Sequence, residues 1–362
     1  MIERASIRFY SVKHCGLYKP HARNCTLGSF SQILDNIYNW ALAPGRLIQN
    51  TCTYEVNEDF DMEFLETYLV SAKKCATNGD MLFSFWNRTH ASGSSVYALD
   101  AAAQLDNVSE DVFHQGNLPE SSIPGFATYF LFMPSKSVMA TITFGNPRSG
   151  MSAFSYWLEN FLKTESRYVH FDASDQFSGY RCANGTIYND LEPRFIKSLY
   201  KNPSKRNMIL ANRENIRGIV RRINLDRAQP SELDVFDRLR SLFGASGITE
   251  LNDHEVSLKY ELSYTPSATE LDEIISAYDN SLNRTNWEDV GLLFPDNNSF
   301  GANGTEWLSK SFAKTKIAIE VDWVLTGQLI NGNVLLASIG FHRQDLLELL
   351  ITETEEGLLN VS

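Results

Sequence analysis

The sequence predicts an α+β protein in which helices pack on antiparallel sheets and two lobes are linked by loop-rich segments. Three patterns support this fold class. Ser29–Leu42 places its apolar residues at helical spacing, and Val256–Tyr264 alternates apolar and polar residues. Ala127–Phe144 consists of two apolar runs around the turn Pro134–Ser137. Amphipathic helices together with antiparallel hairpins are typical of the α+β class.

The sequence pattern in the first third of the chain predicts alternating strands and helices. Alternation over Ala5–Val12 indicates a strand, and Pro44-Gly45 ends the helix that follows Ser29. Further along, the pattern predicts strands at Thr51–Val56 and Met81–Trp86, with a helix between them at Phe64–Cys75.

The hairpin at Ala127–Phe144 leads through a loop with glycine and arginine into another helix. That helix carries Phe154, Trp157 and Phe161 on one side. Free amides and a positive dipole end at a helix start suit a phosphate, with Arg148 beside them. The alternative is a turn that uses Gly and Pro only for its backbone conformation.

The remainder mixes both element types around a long polar stretch, Lys163–Pro193. Periodicity leaves helix or strand open for Asn215–Asp226, although its β-branched residues favour a strand. The other predicted elements are a helix after Pro230-Ser231 that ends at Gly244, a strand at Val256–Tyr264, a helix at Ala268–Tyr278, a loop or hinge at Asn280–Gly304, a strand pair at Lys316–Leu325 and Val334–Phe341, and a helix at Asp345–Leu350.

These elements predict three segments. Residues 1–165 form an N-terminal α+β domain, and residues 166–290 form a basic segment followed by a helix-strand-helix domain. Residues 291–362 form a C-terminal strand pair and helix, which we expect to return to one of the other domains.

A basic segment, Arg194–Arg227, stands out in an acidic chain. It holds ten Lys or Arg and two acids, a charge of +8, whereas the whole chain carries −12, so the rest carries −20. Clustered like charge repels itself unless a polyanion neutralises it. The alternatives are a solvated basic loop, or a basic face that docks an acidic partner or the acidic part of this chain.

The composition of the basic segment favours contact with a duplex backbone. Phe195 and Tyr200 are its two aromatic residues, whereas single-strand binding uses exposed aromatics for stacking. Seven of its ten cations are Arg, which binds phosphate through two parallel hydrogen bonds. The predicted DNA-binding residues are Lys197, Lys201, Lys205, Arg206, Arg213, Arg217, Arg221, Arg222 and Arg148.

Common catalytic motifs for nucleotide hydrolysis, dinucleotide redox, serine hydrolysis and zinc proteolysis are missing from the sequence. We therefore expect a binding protein with no catalytic residue, no metal and no cofactor. Two alternatives stay open. A metal-dependent nuclease of a defence system would use Glu320 and Asp322 with Asp289 or Asp296. A zinc site would draw on the residues His14, Cys15, His21 and Cys25.

No apolar run is long enough to span a membrane, and five scattered cysteines fit reduced thiols. We expect a cytoplasmic protein without membrane contact.

Two stretches resemble the RexA-like phage-exclusion proteins of lambdoid prophages. Pro124–Phe132 followed by Thr141–Gly145 is similar to that family's "GFPSFLF" and "RTVFG" strands. Val235–Ala245, with the strand Val256–Glu261 after it, is similar to its "VFGDILKVLGA" helix and the next strand. The resemblance implies an α+β homodimer that binds double-stranded DNA with little sequence preference, excludes competing phage and has no catalytic residues. A partner protein encoded nearby is a further expectation.

Overall fold

The computed structural model describes residues 1–56, 65–90, 96–116, 118–145, 148–200, 209–225, 256–281, 287–295, 304–308 and 313–350. It confirms the α+β class, with helices packed on antiparallel sheets. The chain divides into two compact units, unit 1 at residues 1–200 and 314–350, and unit 2 at residues 201–313 and 351–362. Among the described helices, none is both long and apolar enough to cross a membrane.

Unit 1 is built on a large antiparallel sheet. Six of its strands are β1 (Ile2–Tyr18), β2 (Thr67–Lys74), β3 (Met81–Arg88), β6 (Ser122–Met133), β7 (Val138–Phe144) and β11 (Glu192–Leu199). They are hydrogen-bonded side by side in the order β11-β1-β7-β6-β3-β2. Three further strands join it, β4 (Tyr97–Asp100), β5 (Phe113–Gln115) and β16 (Lys314–Glu320).

Two helices cover one face of this sheet, α1 (Phe30–Ala41) and α2 (Met151–Thr164). A capping box starts α1: the Gln32 amide donates a hydrogen bond to the Ser29 hydroxyl oxygen, and the Ser29 amide donates one to the side-chain oxygen of Gln32. The core beneath both helices is rich in aromatic rings. Its fully buried members include Phe83, Phe85, Phe130, Phe132, Phe154, Trp157 and Phe161.

The C-terminal part of unit 1 packs on the opposite face. The hairpin β17 (Trp323–Leu325) and β18 (Leu329–Ile330) leads into α4 (Gly332–Phe341) and α5 (Arg343–Glu348). The Ile330 amide donates a hydrogen bond to the Tyr129 hydroxyl oxygen at 2.9 Å, and both groups are buried.

An ion pair also joins this C-terminal part to the sheet. The Arg343 guanidinium donates to both carboxylate oxygens of the buried Asp80, at 2.7 and 3.4 Å. A two-point contact of this kind fixes orientation as well as distance.

A small sheet completes unit 1, and a four-stranded sheet forms unit 2. The small sheet has the order β10 (Ile187–Tyr188), β9 (Phe177–Arg181), β8 (Val169–Phe171). The sheet of unit 2 has the order β13 (Val256–Leu262), β12 (Gly218–Leu225), β14 (Trp287–Leu293), β15 (Thr305–Trp307), and the helix α3 (Ala268–Ser281) belongs to the same unit.

Most element predictions are confirmed, and four are wrong. The predicted helix at Phe64–Cys75 is the strand β2 where the structure describes it, because this strand is buried on both faces and shows no alternation. The predicted strand Val334–Phe341 is the helix α4, whose almost wholly apolar sequence hides its period.

The other two errors concern shorter segments. At Thr51–Val56 the chain ends a 3-10 turn, Ile48–Thr51, and forms no strand. The predicted loop Asn280–Gly304 contains β14. The predicted helix from Pro230 to Gly244 lies outside the described residues.

Replacing Tyr129 with Phe is expected to destabilise unit 1 by about 1–3 kcal/mol, because the buried Ile330 amide loses its acceptor. Urea unfolding measures the effect. Tyr38→Phe is the matched control, since the Tyr38 hydroxyl has no hydrogen-bond partner in the described part of the chain. Equal unfolding free energies for both variants would contradict the assigned role of Tyr129.

Candidate nucleic-acid interface

The structure separates the nine predicted DNA-binding residues into three groups. Four lie in unit 2 and two in unit 1, while three fall outside the described residues. The groups are Arg213, Arg217, Arg221 and Arg222 in unit 2, Lys197 and Arg148 in unit 1, and Lys201, Lys205 and Arg206 outside.

The unit 2 group lies along and just before β12, an inner strand of its sheet. β12 pairs with β13 on one side and β14 on the other. The backbone of Arg217 extends this pairing, because its amide donates to the Leu293 carbonyl at 2.8 Å and its carbonyl accepts from the Tyr264 amide at 3.2 Å. The strand prediction for this segment is confirmed, and its backbone is held from both sides.

Arg217 and Arg221 lie on the same side of β12, and both are exposed. Val220, on the other side, is fully buried. Four residues of extended chain separate the two arginines, which places their Cα atoms about 13 Å apart. Two guanidinium groups therefore project from one face of a strand that is paired on both edges.

Arg222 belongs to the opposite side of β12. In the register of the sheet, Arg222 pairs with Lys259 of β13 and with Asp289 of β14. Asp289 is buried and accepts a hydrogen bond from the Tyr278 hydroxyl of α3 at 3.1 Å. Arg222 thus does not share a face with Arg217 and Arg221.

Arg213 lies in a 3-10 turn, Arg213–Asn215, before β12. Its guanidinium is 3.5 Å from the carboxylate of Glu214. This acid offsets part of the positive charge at that end of the candidate interface.

Lys197 has a structural contact in unit 1. Its ammonium donates to the Ser155 hydroxyl of α2 at 2.8 Å and lies 5.4 Å from the centre of the Phe195 ring. Burial lowers the pKa of Lys197, and the charge of Glu159 partly offsets this effect. Lys197 therefore joins α2 to β11.

Arg148 is exposed in the loop before α2, with its guanidinium carbon 5.1 Å from the centre of the Phe126 ring. Gly150 in the same loop has φ of 64°, and a Cβ there would lie 2.8 Å from the Thr128 hydroxyl. The backbone therefore requires glycine at this position, as the turn alternative assumed.

The carboxylates considered for a nuclease fall in different units. Glu320 and Asp322 are in unit 1, where Asp322 accepts a hydrogen bond from Asn331, while Asp289 is in unit 2. Asp296 is outside the described residues. Across the described ranges, no group of three or more His, Cys, Asp and Glu has the arrangement of a metal site.

The residues considered for zinc make other contacts. The Cys25 thiol lies 2.6 Å from the Gly28 carbonyl oxygen and 3.2 Å from that of Leu27. Burial raises the pKa of the Cys15 and Cys25 thiols, which disfavours the thiolate that binds zinc. His14 contacts the edge of the Tyr18 ring.

Comparison with known proteins gives no assignment: no family model matches the chain, and no curated protein matches it.

The strand that carries the exposed arginines is anchored to the start of α3. The Thr265 hydroxyl donates to the Ile216 carbonyl at 2.7 Å. Ser267 and Glu270 form a reciprocal pair, in which the Ser267 amide donates to the Glu270 carboxylate at 2.8 Å and the Glu270 amide donates to the Ser267 hydroxyl at 3.3 Å. Hydrogen bonds from Tyr264 and Ser267 lower the pKa of Glu270 to about 2.

Because this pKa lies below the unfolded value of about 4.3, the charged form of Glu270 stabilises the fold above that pH. The contribution is lost as pH falls towards about 2. Glu270→Gln is expected to lower the thermal midpoint at pH 7 and to flatten its fall between pH 5 and pH 2.

Circular dichroism melting at each pH measures this effect. Glu273→Gln, an exposed change on the same helix, is the control and should follow the wild type. The same pH profile for Glu270→Gln and the wild type would contradict the anchoring role.

Proposed function

We propose that the protein binds double-stranded DNA with little sequence preference through the arginines of unit 2. The observation that carries this proposal is the placement of Arg217 and Arg221. Both are exposed on one side of an inner strand, within a segment of charge +8 in an acidic chain.

The chemistry of this surface favours phosphate as its ligand. A guanidinium group donates two parallel hydrogen bonds to one phosphate, and a paired strand fixes the spacing of such groups. Contacts to phosphate position a protein on DNA but carry no sequence information. Binding of this kind is electrostatic, so different duplexes of equal length compete equally.

The biological part of the proposal rests on the resemblance to the RexA-like proteins. By that likeness the protein acts in the cytoplasm as a homodimer, with a partner protein encoded nearby, in the exclusion of competing phage. Binding without cleavage is part of the same proposal, and plasmid DNA incubated with the protein and Mg²⁺ should remain intact.

Reversing both arginines, Arg217→Glu with Arg221→Glu, is expected to weaken duplex binding at least about 10-fold at 50 mM salt. Each reversal replaces a phosphate contact with a repulsion. A shift assay with a random 30-base-pair duplex measures the affinity.

The control reverses two exposed arginines of unit 1, Arg23→Glu with Arg181→Glu, and so changes the net charge equally. It should bind nearly as the wild type does. Equal affinity of both double variants would show that the arginines of unit 2 are not the DNA contact.

A further inference from the structure

A second group of cations lies in unit 1, on the ladder between β1 and β16. Its register places Arg8 opposite Lys314, Ser6 opposite Lys316 and Arg4 opposite Ala318. Directly paired residues point to the same side of a sheet. Four cations, two from β1 and two from β16, therefore share one face: Arg4, Arg8, Lys314 and Lys316. We refer to it as the β1–β16 basic face.

Solvent exposure distinguishes the two faces of this ladder. Arg4, Lys314 and Lys316 are exposed, and Arg8 is half-buried. The alternate residues Ala5 and Ile7 are fully buried, and Ile319 is 2% exposed. The hydrophobic effect thus fixes which side of the ladder faces the core, and the cations occupy the side that remains.

The counter-charge on this face is incomplete. Arg8 and Lys314 lie directly opposite each other and each has an interaction with another residue, which for Arg8 includes a hydrogen bond to the Tyr10 hydroxyl. Within the described part of the chain, Arg4 and Lys316 form no ion pair. The acid on this face of the ladder is Glu320, at its far end opposite Ile2.

We infer that the β1–β16 basic face is a second nucleic-acid contact, which binds the sugar-phosphate backbone. This inference rests on the proposed function, DNA binding, and extends it to unit 1, but it depends on residues different from those of the unit 2 site. The ligand class follows from what lies between the cations.

The residues among the four cations are small. Ser6 pairs with Lys316 on one side and with Thr143 of β7 on the other, and Ala318 is opposite Arg4. The large apolar residue of this face, Ile2, lies at its end, opposite Glu320, and is 75% exposed. Protein partners need apolar or aromatic anchors at the centre of an interface, and hydroxyl groups do not provide them. Hydroxyl groups do hydrogen-bond phosphate oxygens, as arginine and lysine do.

The spacing of the cations suits a linear array of phosphates. Lys314 and Lys316 are two residues apart, about 7 Å along the strand, and Arg4 and Arg8 are about 13 Å apart. The two strands lie about 5 Å apart, so the cations form a two-row strip. A strip of fixed charges fits a backbone that carries one charge per roughly 3.4 Å of each DNA strand.

The test is Arg4→Glu with Lys316→Glu, because both side chains are exposed and unpaired among the described residues, so the fold should tolerate the change. A random 30-base-pair duplex at 50 mM salt is the probe. Affinity is expected to fall at least about 10-fold relative to the control Arg23→Glu with Arg181→Glu. Circular dichroism melting confirms that both variants are folded.

The outcomes separate this inference from the proposed function. If Arg4→Glu/Lys316→Glu loses affinity for the duplex, the second contact is supported, even if Arg217→Glu/Arg221→Glu binds normally and the unit 2 site is thereby ruled out. If Arg4→Glu/Lys316→Glu binds like the control, the second contact is overturned. In that case, loss of affinity in Arg217→Glu/Arg221→Glu would still support the unit 2 site. A wild type that does not bind duplex at 50 mM salt overturns both.

Discussion

The backbone pairing of β1 is the interaction on which the rest of unit 1 depends. One edge of this 17-residue strand pairs with β7. The other edge is shared, with β16 along Ile2–Arg8 and β11 along Tyr10–Tyr18. A single strand therefore ties the start, the middle and the C-terminal part of the chain into one sheet, and the helices on both faces pack against what it organises.

The same ladder determines where charge can lie. Because successive side chains alternate, burial of Ala5 and Ile7 leaves Arg4 and Arg8 on the open side. The same alternation occurs in unit 2, where Val220 is buried and Arg217 and Arg221 are exposed. In both units the cations project from strands held by their neighbours, so their spacing is set before any ligand arrives.

The sequence predicts those parts of the fold whose periodicity is visible locally. The helix after Ser29 and the hairpin around Pro134 show clear periods and are confirmed. β2 and α4 have long apolar runs, which carry no period that separates helix from strand. The secondary structure can be predicted where one face of an element is polar, and not where its sequence is apolar on both faces.

Part of the candidate site can likewise be predicted from local sequence, and part cannot. The charge of the basic segment and the shared face of Arg217 and Arg221 could be predicted from composition and alternation. The role of Lys197 could not, because Ser155 comes from a distant helix. The β1–β16 basic face was missed as well, since the pairing of Arg8 with Lys314 joins residues about 300 positions apart, beyond any local pattern.

The salt dependence of duplex affinity tests the central claim, that exposed cations on paired strands bind phosphate. The measurement is the dissociation constant of the wild type for one 30-base-pair duplex between 50 and 200 mM salt. With Arg4, Lys316, Arg217 and Arg221 each contacting a phosphate, the logarithm of affinity should fall with that of salt concentration at a slope of about −3.6 or steeper. A slope near zero would contradict the account.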